Sequence, residues 1–114
     1  MPEYRKENLS DEAFEMLGER FRALGEPMRL RLIYALMDGE KTVSELVEET
    51  GGLQANISKH LKLLLDAGVV GRRKQGLHAY YRISDPTIFE LCDLMCGSIQ
   101  DQLESNLGRF SRSS

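Results

Sequence analysis

Apolar positions in this chain recur every three or four residues through four stretches, then alternate briefly, then return to a helical period. Phe14, Leu17, Phe21 and Leu24 make the first stripe, with Ser10 as its cap, Asp11 and Glu12 in the first turn and Gly25 at its end. Pro27 fits the first turn of a second helix, whose inner side is Leu30, Ile33, Leu36 and Met37 and whose stop is Asp38-Gly39. A third runs from Thr42 or Val43 to Thr50, capped by Thr42 or Ser44, with Val43, Leu46 and Val47 inward. Gly51-Gly52 marks a turn. Leu53 to Ala67 then forms a fourth helix on Ile57, Leu61, Leu64 and Leu65, stopped by Gly68.

The period changes after that. Residues 69–73 and 79–83 read as two strands of a hairpin joined by residues 74–78. Asp85 caps and Pro86 opens a last helix, residues 86–107. The expected architecture is mainly α with a small β-hairpin, in the order α-α-α-α-β-β-α, as one domain over residues 1–114. Residues 1–9 are expected to be disordered, residues 42–67 to be a helix-turn-helix and residues 69–83 a wing. Such a domain grips duplex DNA.

The last helix carries an apolar arc wider than one neighbour needs. Ile88, Cys92, Ile99, Leu103 and Phe110 gather on one side, and Leu91, Leu94 and Met95 widen it. We expect a two-fold partner to cover it, so the dimer interface is read as Phe14, Leu17, Phe21, Ile88, Cys92, Met95, Ile99 and Leu103. A dimer also suits paired recognition helices reading a palindrome. An intramolecular core is the plainer reading of the same stripe.

Composition adds one decisive point. The 114 residues carry a net charge of −3, which suits nucleic acid poorly until the charge is located. From Gln54 to Ile83, Lys59, Lys62, Arg72, Arg73, Lys74 and Arg82 face Asp66 alone, a local +5 on a remainder of −8. Phosphate responds to that patch rather than to the total. No apolar run approaches the ~20 residues that span a bilayer, and the start lacks the apolar core of a signal peptide, so the expected compartment is the cytoplasm. The two cysteines lie too close in sequence to staple distant parts of a fold.

On the fourth helix, Gln54, Ala55, Asn56, Ser58, Lys59 and His60 occupy early outward positions. Gln and Asn can pair with adenine edges, and Ser, Lys and His can hold phosphate. The preferred base readers are Gln54, Asn56, Ser58 and His60, with Lys59 and Lys62 as cations beside them. Ordinary helix-start chemistry would explain Gln54 and Asn56 equally simply. In the wing, Arg72, Arg73, Lys74, Gln75 and His78 surround Gly76 and suit phosphate or a narrow minor groove. Edge strands also carry charge merely to avoid aggregation.

The stretch Leu24-Gly25-Glu26-Pro27-Met28-Arg29-Leu30-Arg31-Leu32-Ile33 is followed by Ile57-Ser58-Lys59-His60-Leu61, then Leu65-Asp66-Ala67-Gly68-Val69-Val70, Arg72-Arg73 and Tyr80-Tyr81-Arg82-Ile83. Together these runs closely resemble the ArsR/SmtB family of bacterial repressors, over roughly Met16 to Leu107. The resemblance implies a homodimeric winged helix that leaves its operator when an effector, often a metal or metalloid ion, binds. It also implies a Cys-x-Cys site in the third helix or an Asp/His site along the last. Neither fits: residues 42–48 hold no cysteine or histidine, and the last helix has Asp93 and Asp101 but no histidine.

Cys92 and Cys96 remain, one turn apart on one helix face. Two thiolates can share trivalent arsenic or another soft metal ion, helped by a third thiol from elsewhere. Redox sensing and plain packing are the other readings. A winged helix that binds protein instead of DNA is a further alternative, though it leaves the localised positive charge unexplained. No nucleophile elbow, phosphate loop or carboxylate pair points to an enzyme.

Overall fold

A computed structural model describes the backbone of residues 9–113 and the side chains of residues 9–106. The expected disorder of residues 1–8 and the placement of Phe110 lie outside those bounds, while Leu9 is exposed. The chain divides at Ser84–Asp85 into two compact units. The winged-helix elements fall in the first unit and the last helix in the second.

Capping explains most helix boundaries. α1 (Asp11–Leu24) starts where the Ser10 hydroxyl accepts from the Ala13 N–H at 3.1 Å. α2 (Pro27–Ala35) is capped by Glu26, a residue not foreseen in that role, whose carboxylate accepts from the Arg29 N–H at 3.0 Å. A 3-10 turn, Leu36–Asp38, then leads to Gly39. α3 (Val43–Thr50) has a complete capping box: Thr42 Oγ1 accepts from the Glu45 N–H, and the Glu45 carboxylate accepts from the Thr42 N–H. The Thr42 N–H, and then the Thr42 hydroxyl, donate to the Glu45 carboxyl and hold it below its ordinary value.

The turn between α3 and α4 (Gln54–Asp66) uses both glycines differently. Gly51 has φ 75°, the left-handed region that favours glycine. Gly52 is needed for space, because a Cβ there would stand 2.8 Å from Ile57 Cδ1. Ile57 is fully buried and has nowhere to go. The turn thus seats the inner row of α4 onto the core.

That core is Leu32, Ile33, Leu46, Ile57, Leu61, Leu64 and Val69, all essentially inaccessible. α3 packs on α4 and on α2, and α2 on α4. Two expectations shift here. Leu32 is a core residue of α2, while Leu30 and Met37 are only half-buried, and Leu65 is likewise half-buried on α4. Helices meeting at an angle bury different parts of one stripe along their length.

The hairpin is longer and better tied than the alternation implied. β2 (Val70–Gln75) and β3 (His78–Ile83) pair antiparallel in register from Val70↔Ile83 to Gln75↔His78. The connection is just Gly76-Leu77, with Gly76 at φ 61°, so Lys74, Gln75 and His78 are strand residues rather than loop. A two-residue strand, β1 (Lys41–Thr42), was not foreseen; it adds to β3 and makes a three-stranded sheet of order β1-β3-β2.

The second unit is α5, Thr87–Ser113, which starts one residue later and ends beyond the expected 86–107. Asp85 is its cap as expected, with Oδ1 accepting from the Thr87 N–H at 3.0 Å. Ile88 and Cys92 are its buried residues, and Leu94, Met95, Ile99 and Leu103 stand exposed. No helix among the described residues is long and apolar enough to cross a membrane.

Candidate nucleic-acid interface

The outer row of α4 is the first element of the site. Gln54, Ala55, Asn56, Ser58 and Lys59 are all exposed, directly over the buried row Ile57, Leu61 and Leu64. The cap position is Leu53, which makes no side-chain cap bond. Gln54 and Asn56 are therefore not spent on starting the helix, and the simpler explanation for them loses its footing.

His60 does not belong to that free row. Its side chain is 22% exposed and sits 3.9 Å from Glu26, and its Nδ1 lies 3.3 Å from Arg29 Nη1 on α2. The expectation of a freely projecting base reader needs correcting: the ring is held on one side by the body of the domain. Lys62 is exposed but pairs with Asp66 at 3.1 Å, one turn along. Its charge is partly answered within the helix.

The wing residues do not form the single cluster that their sequence spacing suggested. Successive strand residues point to opposite faces, so Arg72 and Lys74 share one face while Arg73 and Gln75 share the other with His78, Tyr80 and Arg82. On this second face Arg73 is exposed but has several partners. Its Nε donates to both Glu40 oxygens at 2.8 and 3.1 Å, its Nη1 donates to Gln75 at 2.6 Å, and its guanidinium lies 4.5 Å from the Tyr80 ring centre. His78 stacks edge-on against Tyr80 at 6.4 Å. The Arg73 hydrogen bond holds the Glu40 carboxyl below its ordinary value.

Arg73 therefore carries a local partner, Glu40, that its sequence position does not reveal. Lys59, Arg72 and Lys74 are exposed, and no ion pair holds them among the described residues. Replacing Glu40→Gln would release Arg73 and remove one negative charge. Duplex binding should tighten at low salt, and the slope of log affinity against log salt should steepen by about one. Anisotropy titrations over a salt series read that slope, and an unchanged slope would count against the clamp. Melting temperature should hardly move, because the pair is solvent-exposed.

Comparison with known proteins now bears on this geometry. Residues 26–71 match the model of the family described as bacterial regulatory protein, arsR family. The arsenical resistance operon repressor of Bacillus subtilis is 35% identical over 71 residues, 61% of this chain and 68% of that one. The chain belongs to the ArsR family. This ArsR-family protein is accordingly a DNA-binding transcriptional regulator. A probable mercury resistance operon repressor of Streptomyces lividans is 41% identical over 71 residues, 62% of this chain but only 57% of that repressor's length. Among solved structures, the homodimeric winged helix-turn-helix DNA-binding domain of a possible ArsR-family regulator from Mycobacterium bovis superposes with a TM-score of 0.76 at 26% identity. That superposition covers 89% of this chain and 95% of the fragment.

The remaining predicted residues concern dimerisation and sensing. Phe14, Leu17 and Phe21 on α1, and Met95, Ile99 and Leu103 on α5, are each about half exposed or more. Ile88 and Cys92, also on α5, are buried. Cys92 and Cys96 are both thiols, the first buried and the second half-buried. Burial, and then the neighbouring Cys96, pushes the Cys92 thiol above its ordinary pKa.

Proposed function

We propose that this protein works as a homodimer that holds a palindromic operator and lets it go when a soft, thiol-seeking ion binds at Cys92 and Cys96. The observation that carries the DNA half is the outer row of α4: exposed polar side chains, uncommitted to capping, over a fully buried inner row. Gln54 and Asn56 suit adenine edges, and Ser58 can approach a base or a phosphate. Lys59 supplies charge to the backbone, with Arg72 and Lys74 doing the same from the wing.

Exposed phenylalanine, leucine and methionine on α1 and on α5 support a second copy of the chain over each face. Two-fold symmetry would then set the recognition helices about one DNA turn apart, ~34–36 Å. Duplexes selected by the protein from a random pool should therefore carry an inverted repeat with half-sites ~10–10.5 bp apart. Recovery of unrelated or single half-site sequences would argue against the dimeric reading.

The donor set bears on the effector. One chain offers two thiols four residues apart, and no group of three His, Cys, Asp or Glu side chains suited to a metal lies among the described residues. These donors fit an ion satisfied by two thiolates, or one completed by a thiol from outside the chain. Relatives named for mercury and arsenical resistance point to the same soft chemistry. An oxidant is the weaker reading, because a buried thiol held protonated is a poor nucleophile.

Changing both Cys92→Ala and Cys96→Ala should leave operator affinity within about twofold and abolish release by mercuric ion or arsenite. Because the ion must displace a proton that burial holds on Cys92, release by the native protein should need less ion as pH rises. Anisotropy titrations with each ion at several pH values check both points. A double variant that still releases normally would end the thiol assignment.

A further inference from the structure

Arg29 spends its whole side chain at the meeting of three helices. Its Nε donates to the Ala23 carbonyl at 2.6 Å and its Nη2 to the Arg22 carbonyl at 3.3 Å, both in the last turn of α1. Its Nη1 lies 3.3 Å from His60 Nδ1 on α4. A guanidinium has donors and no acceptor, so at this contact the imidazole nitrogen must accept. The ring proton then resides on Nε2. Glu26 sets the opposite restraint: its Oε2 accepts from the Arg29 N–H at 3.0 Å and lies 3.9 Å from His60 Nδ1. That last distance is too long for a hydrogen bond, so Arg29 and not Glu26 decides the tautomer.

We propose that Arg29 is a positioning residue for DNA recognition, tying α4 to the end of α1 and presenting His60 as its Nε2–H tautomer. Held so, the neutral ring has one remaining polar function, a donor. It addresses acceptors only: guanine N7 or O6, adenine N7, thymine O4 or a phosphate oxygen. A ring released from Arg29 could exchange tautomers and would accept as readily as donate. The inference rests on α4 being the recognition helix and specifies what one of its residues contributes. It also gives α1, whose apolar face is assigned above to the second copy, a rigid planar link into the DNA-reading helix. A lysine could not reproduce that link, since its compact ammonium lacks the planar fork that reaches three acceptors.

Nitrogen-15 spectra of the imidazole rings in the native protein, taken at pH 8, read the tautomer directly. The expected pattern for His60 is the Nε2–H form. Arg29→Met keeps similar bulk and removes every donor, so His60 should then show a mixture of tautomers. The variant's helical content and sedimentation should match the native protein. Its affinity for a duplex that the native protein selects from a random pool should fall about tenfold, the scale of one lost base contact. Combined with His60→Ala, Arg29→Met should cost little further affinity, because both changes remove the same contact. An Nδ1–H ring in the native protein would overturn the proposal even if the Arg29 variant fails to fold. Native affinity in a well-folded Arg29→Met would overturn it too. Failure of the native protein to select any duplex would instead strike at the DNA reading, and the tautomer would still decide the role of Arg29.

Discussion

Glutamate at both Leu17 and Phe21 is expected to leave a folded monomer whose operator affinity is lower by a factor of about 10²–10⁴. The two side chains are 44% and 51% exposed on α1, so each leaves about half of its apolar surface uncovered by its own chain. Leu24 and Ala23, at the end of the same helix, are the residues buried there. Four added negative charges per dimer on an apolar contact carry a heavy desolvation and repulsion cost. Once the copies separate, each recognition helix binds a half-site alone and loses the effective concentration that its twin supplied. Sedimentation gives the mass and anisotropy the affinity. A double variant that stays dimeric and binds normally would remove α1 from the interface.

Leu61→Ala is the largest expected loss of stability, about 2–5 kcal/mol from a total on the order of 5–15 kcal/mol. Leu61 is fully buried on the inner row of α4, and truncating it opens a cavity beneath the residues that face DNA. Its neighbour Lys62 gives the matched control. Lys62→Ala removes an exposed pair with Asp66, worth roughly 0.3–0.5 kcal/mol. Urea denaturation of the two variants should therefore differ several-fold in the stability lost. Similar losses would mean that the inner and outer rows of α4 are misassigned.

What the sequence made readable was local. Ser10, Asp85, Gly51 and Gly68 set helix boundaries through bonds or backbone angles within a few residues, and the inner row of α4 follows from its period. Glu26 as a cap is within the same reach, since its carboxylate bonds the N–H only three residues on, at Arg29. What escaped depends on partners far apart in the chain. β1 is two residues long, too short to show a period, and exists because Lys41 and Thr42 meet Tyr81 and Tyr80.

The site divides along the same line. Asn56 and Lys59 were legible as outward residues of one helix. Arg73 is legible as an exposed cation, but not its partner Glu40, 33 residues away. His60 is legible as a residue of the same helix as Asn56 and Lys59, but not Arg29, 31 residues away, which holds one edge of its ring. Counting Arg72, Arg73 and Lys74 as one patch ignored the pleat, which sends alternate side chains to opposite faces.

The central claim is that α4 and the wing grip duplex DNA, and a salt series of anisotropy titrations on a selected palindromic duplex tests it most directly. The native protein should give a straight line of falling log affinity against log salt, as phosphate contacts release counterions. Asn56→Ala should weaken binding with the slope unchanged, and Lys59→Ala should make the slope shallower by about one. Binding that ignores salt, or variants indistinguishable from the native protein, would contradict the account.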